Sequence, residues 1–314
     1  MKKIAFTFPG QGSQTVGMGK ALADEYSVAR AVFEEVDDAL GEKLSDIMWN
    51  GPAETLTLTR NAQPALMATS IAAFRVLEER GLVLADKVSY VAGHSLGEYS
   101  ALAASGALSL SDTARLLRIR GDAMQQAVPV GEGAMAAIIG MDIDDVKEVA
   151  DSASEGEVCQ VANDNSAGQV VLSGVKAAIE RATRLAREKG AKRALLLPVS
   201  APFHCALMAP AADVMSQALA KATINQPVVP LIANVLAGPV SDPEAIRRHL
   251  VEQVTGMVRW SESISWLASN GVSTLYEVGA GKVLSGLARR IARGVETINV
   301  GELTDIDAAM LKLA

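Results

Sequence analysis

The stretch YVAGHSLGEYSALAASGAL, residues 90–108, reads as an apolar strand running straight into an apolar helix, and its reading decides the fold class. Residues 88–92 have the pattern of a buried strand, residues 97–106 open a helix, and Gly93-His94-Ser95-Leu96-Gly97 joins them in the form G-x-S-x-G. Glycines on both sides leave room for a sharp strand-to-helix turn, which stands the Ser95 Oγ clear of the sheet beside the free N–H groups of a helix N-terminus. The N–H of Leu96 is the natural first donor to an oxyanion formed there. Alone, the pattern serves a tight turn as readily as a nucleophile, because a serine hydroxyl attacks poorly until a base takes its proton.

Outward from this joint, strand-like and helix-like runs alternate along nearly the whole chain, the signature of an α/β protein layered on a largely parallel sheet. Strands are predicted at 4–8, 88–92, 228–233 and 274–278, with a short last one near Thr297; amphipathic helices are predicted at 64–80, 111–127, 243–254 and 260–270. One segment breaks the alternation. From Ala134 the order is strand to Gly140, helix 142–153, strand 158–162, a Gly/Asn turn, strand 170–173, helix 175–189 and strand 193–197. That β-α-β-β-α-β order is the ferredoxin-like arrangement. With Gly131 and Gly133 before it and Pro198 after it, it predicts a small subdomain over 131–198, inserted between two parts, 1–130 and 199–314, of a larger α/β domain. A cleft between the two is the expected small-molecule site.

The 314 residues are 49% apolar, enough for a sizeable core, and carry a net charge of −7 with acids and bases interspersed. Neither nucleic acid nor an anionic membrane is expected as the main partner, since both need a concentrated basic face. The first apolar run, 4–8, is too short for a secretory core and ends in Pro-Gly; the uncharged run 194–212 is interrupted by Pro198, Pro202 and Pro210, so it cannot be one spanning helix. Cys159 and Cys205 provide no disulfide framework, and the three histidines lack metal-ligand spacing, so a cytoplasmic protein with no metal is expected. The densest basic cluster, Arg181, Arg184, Arg187, Lys189, Lys192 and Arg193, reads as a solvated helix face, with docking of an acidic partner or of phosphate groups as the alternative.

The base for Ser95 must come from few candidates. His94 adjoins the serine and is expected to pack with its ring turned from the Oγ, while His249, in RRHLVEQ, lies on a charged helix and reads as solvated. His204, in VSAPFHCALM, lies in an apolar stretch where the chain re-enters the large domain, and beside Ser95 it becomes the leading base. Cys205 faces the opposite way in an extended segment and reads as buried filler.

Arg120 adds a charge. On helix 111–127 its neighbours three and four positions away are Leu116, Leu117, Ala123 and Met124, all apolar, so it projects from the face due for burial. Either its head snorkels to water, or it is buried and needs an anion, an unpaired buried charge costing about 3 to 5 kcal/mol. A guanidinium binds a carboxylate through two parallel hydrogen bonds, a geometry lysine cannot copy. The N-terminal PGQGSQ lacks both G-x-G-x-x-G spacing and a Walker lysine, and reads as a turn placing Gln11 over the serine. Gln63, in NAQPAL, and Asn163, in VANDN, are expected to face the cleft.

Together, FPGQGSQ, GHSLGEYSAL, the Arg-Gly pair at Arg120, GAMAAIIG, NSAGQVVLSG and APFH resemble, in this order and over nearly the whole chain, the malonyl-CoA:acyl carrier protein transacylases of fatty acid synthesis. The resemblance implies an α/β-hydrolase-like large domain carrying the ferredoxin-like subdomain. It implies transfer of malonyl from malonyl-CoA to the phosphopantetheine thiol of acyl carrier protein through a seryl ester. Ser95 is then the nucleophile, His204 the base, Gln11 and the N–H of Leu96 the oxyanion hole, and Arg120 the holder of the malonyl carboxylate. A backbone carbonyl near Gln253, in place of an acidic side chain, orients the histidine; Leu96 and Phe203 go with malonyl over methylmalonyl, and Gln63, Met124 and Asn163 belong to the substrate wall. APFH stands where many relatives have AFH. The implied enzyme needs no metal or redox cofactor and is expected to be discrete, monomeric and cytoplasmic. A thioesterase or esterase that passes the acyl group to water, and a catalytically silent module that docks carrier protein, are the alternatives; an intact Ser95, His204 and Arg120 set speaks against the second.

Overall fold

The strands, in chain order, are β1 (Lys3–Phe8), β2 (Tyr90–Gly93), β3 (Gly133–Ile139), β4 (Cys159–Ser166), β5 (Gln169–Val175), β6 (Arg193–Leu196), β7 (Leu231–Ala233), β8 (Gly238–Val240), β9 (Val272–Val278) and β10 (Glu296–Val300). They come from a computed structural model that describes residues 3–199 and 201–313. Six of them form one sheet in the order β10-β9-β1-β2-β7-β8, parallel except for β8, which returns antiparallel to β7. The other four form a separate antiparallel sheet in the order β4-β5-β3-β6. The chain is therefore a mixed α/β protein with one parallel-rich and one antiparallel sheet.

The strands of the larger sheet are apolar because helices cover them on both sides. Phe6 and Phe8 of β1 are fully buried, and Phe6 meets Phe74 and Tyr276 at ring distances of 6.5 and 5.3 Å. The helix Thr59–Glu79 is buried on nearly every face, which places it inside the large layer. It begins about a turn before the predicted start at Pro64. Proline favours a first turn, but here Asn61, upstream of it, is already held, its Nδ2 donating to Thr55 O at 2.8 Å. The strand predicted at 228–233 shortens to β7, since Pro230 immediately before it lacks an N–H for the ladder. The three-residue β8 was not anticipated; its Pro239 is tolerated because β8 is an edge.

The antiparallel sheet has a core of its own against the helices Ile143–Ser154 and Lys176–Glu188, built from Ile138, Val146, Leu172 and Ile179 among others. It is tied to the larger layer through Val258, whose N–H donates to Ala162 O at 2.9 Å and whose carbonyl accepts from Asp164 N at 3.0 Å. These ties bring β4 over the carboxyl ends of β1 and β2, the end of an open parallel sheet where ligands bind. Among the described residues no helix is long and apolar enough to cross a membrane.

Candidate active site

The turn after β2 is as sharp as its glycines suggest. A Cβ on Gly93 would lie 1.9 Å from backbone atoms of Gly97, and one on Gly97 would lie 2.2 Å from Phe8 O. Ser95 sits in the left-handed region at φ 53, which for a residue with a side chain costs about 1 to 3 kcal/mol. Three side-chain hydrogen bonds hold it there. Ser95 N donates to Asn234 Oδ1 at 2.8 Å, Asn234 Nδ2 donates to Gly93 O at 2.7 Å, and Gln253 Nε2 donates to Ser95 O at 3.0 Å. The helix Gly97–Ala104 follows at once, with Leu96 as its N-cap residue.

His204, also at positive φ (59°), brings its Nε2 to 2.8 Å from Ser95 Oγ, and its Nδ1 lies 2.9 Å from the carbonyl of Gln253. A carbonyl can only accept, so Nδ1 carries the proton and Nε2 offers its lone pair to the serine hydroxyl. The ring is buried. Burial first, and the nearby Arg120 cation second, push the His204 pKa down to about 3, so the imidazole is neutral at ordinary pH.

Arg120, in the helix Leu110–Gln126, is 1% exposed, which rules out the snorkelling alternative. The neighbouring Gly121 allows this: a Cβ there would lie 2.7 Å from Arg60 Cα, so the two long helices touch at the backbone. Arg120 Nη1 then donates to Gln63 Oε1 at 2.8 Å, while Nη2 donates to Gln253 Oε1 at 2.8 Å and to Ser95 Oγ at 3.1 Å. Its Nε is buried without a partner, and the guanidinium carbon stands 5.7 Å from the centroid of the Tyr99 ring. All its acceptors are neutral, so an anion is still wanted.

These groups open onto a cavity of about 460 Å³ between the carboxyl ends of β1 and β2 and the antiparallel sheet. Gln11, Gln63, Ser95, Leu96, Arg120, Met124, Asn163, Phe203 and His204 all line it. Gln253 does not; it lies fully buried behind the serine. The Gln11 side chain donates from Nε2 to Thr59 Oγ1 at 3.3 Å. His94 edges the cavity with its ring against Trp260 and its Nε2 2.8 Å from Asn165 Oδ1, away from the Oγ. His249 pairs with Glu252 at 2.9 Å on a partly exposed helix face, and Cys205 is fully buried. In the basic cluster, Arg181 pairs with Glu155 and Glu157, and Lys189 with Glu148.

Sequence reading missed two residues behind the serine, Asn234 and Glu98. Glu98, in the first turn of its helix, is 1% exposed, and its Oε2 accepts from Gln253 Nε2 at 2.7 Å. A charge three positions after the serine on an otherwise small and apolar helix was a usable signal, the same one that singled out Arg120. For Asn234 the signal was a polar side chain ending a buried strand, which is weak. Among the described residues no group of three or more His, Cys, Asp or Glu side chains could hold a metal ion.

A hydroxyl in contact with a neutral imidazole, next to a buried guanidinium in a cleft, is equipped for acyl transfer to and from serine. The family described as the acyl transferase domain matches residues 5–303, and the chain belongs to that family. It is 48% identical over 314 residues, 100% of its own length and 98% of the relative's, to the malonyl CoA-acyl carrier protein transacylase of Bacillus subtilis (strain 168). It matches the crystal structure of an acyl-carrier-protein-S-malonyltransferase from Bartonella henselae with a TM-score of 0.98 and 61% identity, covering 99% of both chains. A third match, at TM-score 0.96 and 41% identity over 99% of both chains, is a type II PKS acyl-carrier protein in complex with its malonyl-transacylase.

Proposed function

We propose that this chain moves the malonyl group from malonyl-CoA to the phosphopantetheine thiol of acyl carrier protein, in fatty acid biosynthesis, through an ester on Ser95. The observation that carries this reading is the buried Arg120 head 3.1 Å from the Ser95 Oγ. Its hydrogen-bond acceptors are all neutral and the carboxylate of Glu98 reaches it only across Gln253, so a malonyl carboxylate is the anion that can meet its fork directly. Acetyl-CoA brings it no carboxylate, while malonyl-CoA supplies two oxygens to which its planar fork can donate.

In the first step the Ser95 hydroxyl proton passes to His204 Nε2 as Oγ attacks the thioester carbon. The oxyanion takes hydrogen bonds from the N–H of Leu96 and from the backbone N–H of Gln11, whose side chain is turned to Thr59. Collapse breaks the carbon–sulfur bond, and the CoA sulfur leaves with the proton from His204. In the second step the carrier thiol gives its proton to His204, its sulfur attacks the seryl ester, and Ser95 leaves with that proton. The Gln253 carbonyl holds Nδ1–H throughout and steadies the transient imidazolium. The malonyl carboxylate also helps the base, because it offsets the Arg120 charge that depresses His204. One thioester replaces another, so the exchange is reversible and calls for no metal or redox cofactor.

We further read the six-stranded layer as an α/β-hydrolase-like domain, residues 1–130 and 199–314, and residues 131–198 as a ferredoxin-like subdomain; the order β4-β5-β3-β6, with its two crossover helices, supports the second. A monomer working in the cytoplasm, with Asn163, Met124 and Phe203 shaping the acyl pocket, completes the reading. Labelled malonyl-CoA should give a stoichiometric burst of protein-bound label that chases onto carrier thiol, with ping-pong kinetics. Ser95→Ala should give no covalent adduct by mass spectrometry. An intact adduct on that variant, or label released only to water in the presence of carrier, overturns the proposal.

A further inference from the structure

Behind the serine the structure buries a second charge that the transfer steps do not use. Glu98 Oε2 accepts from Gln253 Nε2 at 2.7 Å and from the backbone N–H of Asn234 at 3.3 Å, both neutral donors. The charged or titratable groups that face it are Arg120, from the helix Leu110–Gln126, and Tyr99, from its own helix; His204 enters from the segment after residue 203 and acts on Arg120. The helix Pro243–Thr255 and the end of β7 bring only the amides of Gln253 and Asn234. Arg120 and Glu98 thus share one amide, Gln253, which accepts from the cation with Oε1 and donates to the carboxylate with Nε2. In the empty site the two buried charges balance across it.

A substrate carboxylate disturbs that balance, because it puts two carboxylates around one buried guanidinium. Like charges so placed raise one another's affinity for a proton. The incoming carboxylate is held directly by the fork, whereas Glu98 reaches Arg120 only through Gln253, so Glu98 is the one that yields. We propose that Glu98 is the buried charge partner of Arg120 and takes up a proton from solvent when a carboxylate-bearing acyl group occupies the site, making it a further determinant of acyl selectivity. The inference rests on the malonyl reading above.

The step balances simply. One proton leaves the buffer and binds the Glu98 oxygen that Gln253 does not hold, and no covalent bond of the substrate changes. Oε2 remains an acceptor in the protonated acid, so the hydrogen bonds from Gln253 and Asn234 survive. Burial already pushes the Glu98 carboxyl up to about 7, against the pull of Gln253, Asn234 and Arg120, so a modest further rise changes its occupancy near neutral pH. A rise of about one pH unit takes its protonated fraction at about pH 7.5 from about one quarter to about three quarters, an uptake of about half a proton. His204 cannot supply this signal, since at about 3 it stays neutral.

The test is calorimetric titration of the Ser95→Ala protein, which binds without turnover, with malonyl-CoA and with acetyl-CoA in buffers of different ionisation enthalpy. CoA is common to both, so the difference reports the acyl group. Malonyl-CoA should take up about half a proton more than acetyl-CoA at about pH 7.5, and the same titration after adding Glu98→Gln should show no difference. Equal uptake for both acyl groups, or undiminished malonyl uptake with Glu98→Gln, overturns the proposal. If the double variant does not fold, the pH dependence of the malonyl-CoA Kd decides: binding that takes up a proton must weaken as pH rises above about 7, and a flat Kd rejects Glu98. Failure of malonyl-CoA to bind at all refutes the malonyl reading instead, an outcome distinct from binding without proton uptake.

Discussion

Asn234→Ala tests how the nucleophile is held. The side chain lies off the cavity, yet it bonds both flanks of the strained serine, accepting from Ser95 N at 2.8 Å and donating to Gly93 O at 2.7 Å. Truncation leaves a buried N–H and a buried carbonyl unpaired, at about 1 to 3 kcal/mol each, so the folded state should lose about 2 to 6 kcal/mol in urea titrations. Once unpaired, Ser95 can relax from φ 53, and its Oγ moves out of the 2.8 Å contact with His204. A displacement of about 1 Å at a reacting atom can cost about 100-fold in rate. The measurement is the single-turnover rate of malonyl-serine formation, normalised to the folded fraction, together with KM. The rate should fall about 100-fold with KM unchanged, since Asn234 does not touch the acyl group. A folded Asn234→Ala protein that acylates within about threefold of the parent rate refutes the argument that this amide sets the serine geometry.

Arg120→Ala removes two charged hydrogen bonds to the substrate carboxylate, about 1.5 to 3 kcal/mol each. Malonyl kcat/KM should therefore fall about 10²- to 10⁴-fold while acetyl kcat/KM does not, and an unchanged ratio contradicts the clamp. The acid limb of malonyl kcat/KM should not fall at the usual histidine value: a base depressed to about 3 stays neutral as pH drops through 6.5, so a rate that falls as pH drops through 6.5 tells against His204 as the buried base, whereas proton uptake by Glu98 near 7 acts in the opposite sense. Gln11→Ala should keep kcat within a few-fold, because the side chain is engaged with Thr59 and the backbone N–H is retained; a loss of about 2.7 to 4 kcal/mol in the barrier would instead assign the oxyanion donor to its amide side chain.

The features legible in the chain itself are local ones. The glycines around Ser95 announce a strand-to-helix turn because only their missing Cβ atoms let Gly93, Gly97 and Phe8 approach so closely. Helical spacing puts Arg120 on the apolar face, and strand and helix periods mark out residues 131–198. The meeting of Ser95 and His204 is different in kind: 109 positions separate them, and from residues alone His204 emerges only by elimination. Asn234, 139 positions from the serine, reaches it because β7 pairs beside β2, and that pairing is a property of sheet order that no window of sequence contains. The charge balance among Arg120, Gln253 and Glu98 is likewise invisible until three helices converge, because burial and hydrogen-bond partners, not residue type, decide what a charged side chain does. Backbone turns, helix faces and strand periods follow from neighbours along the chain; the chemistry of this cleft follows from neighbours in space.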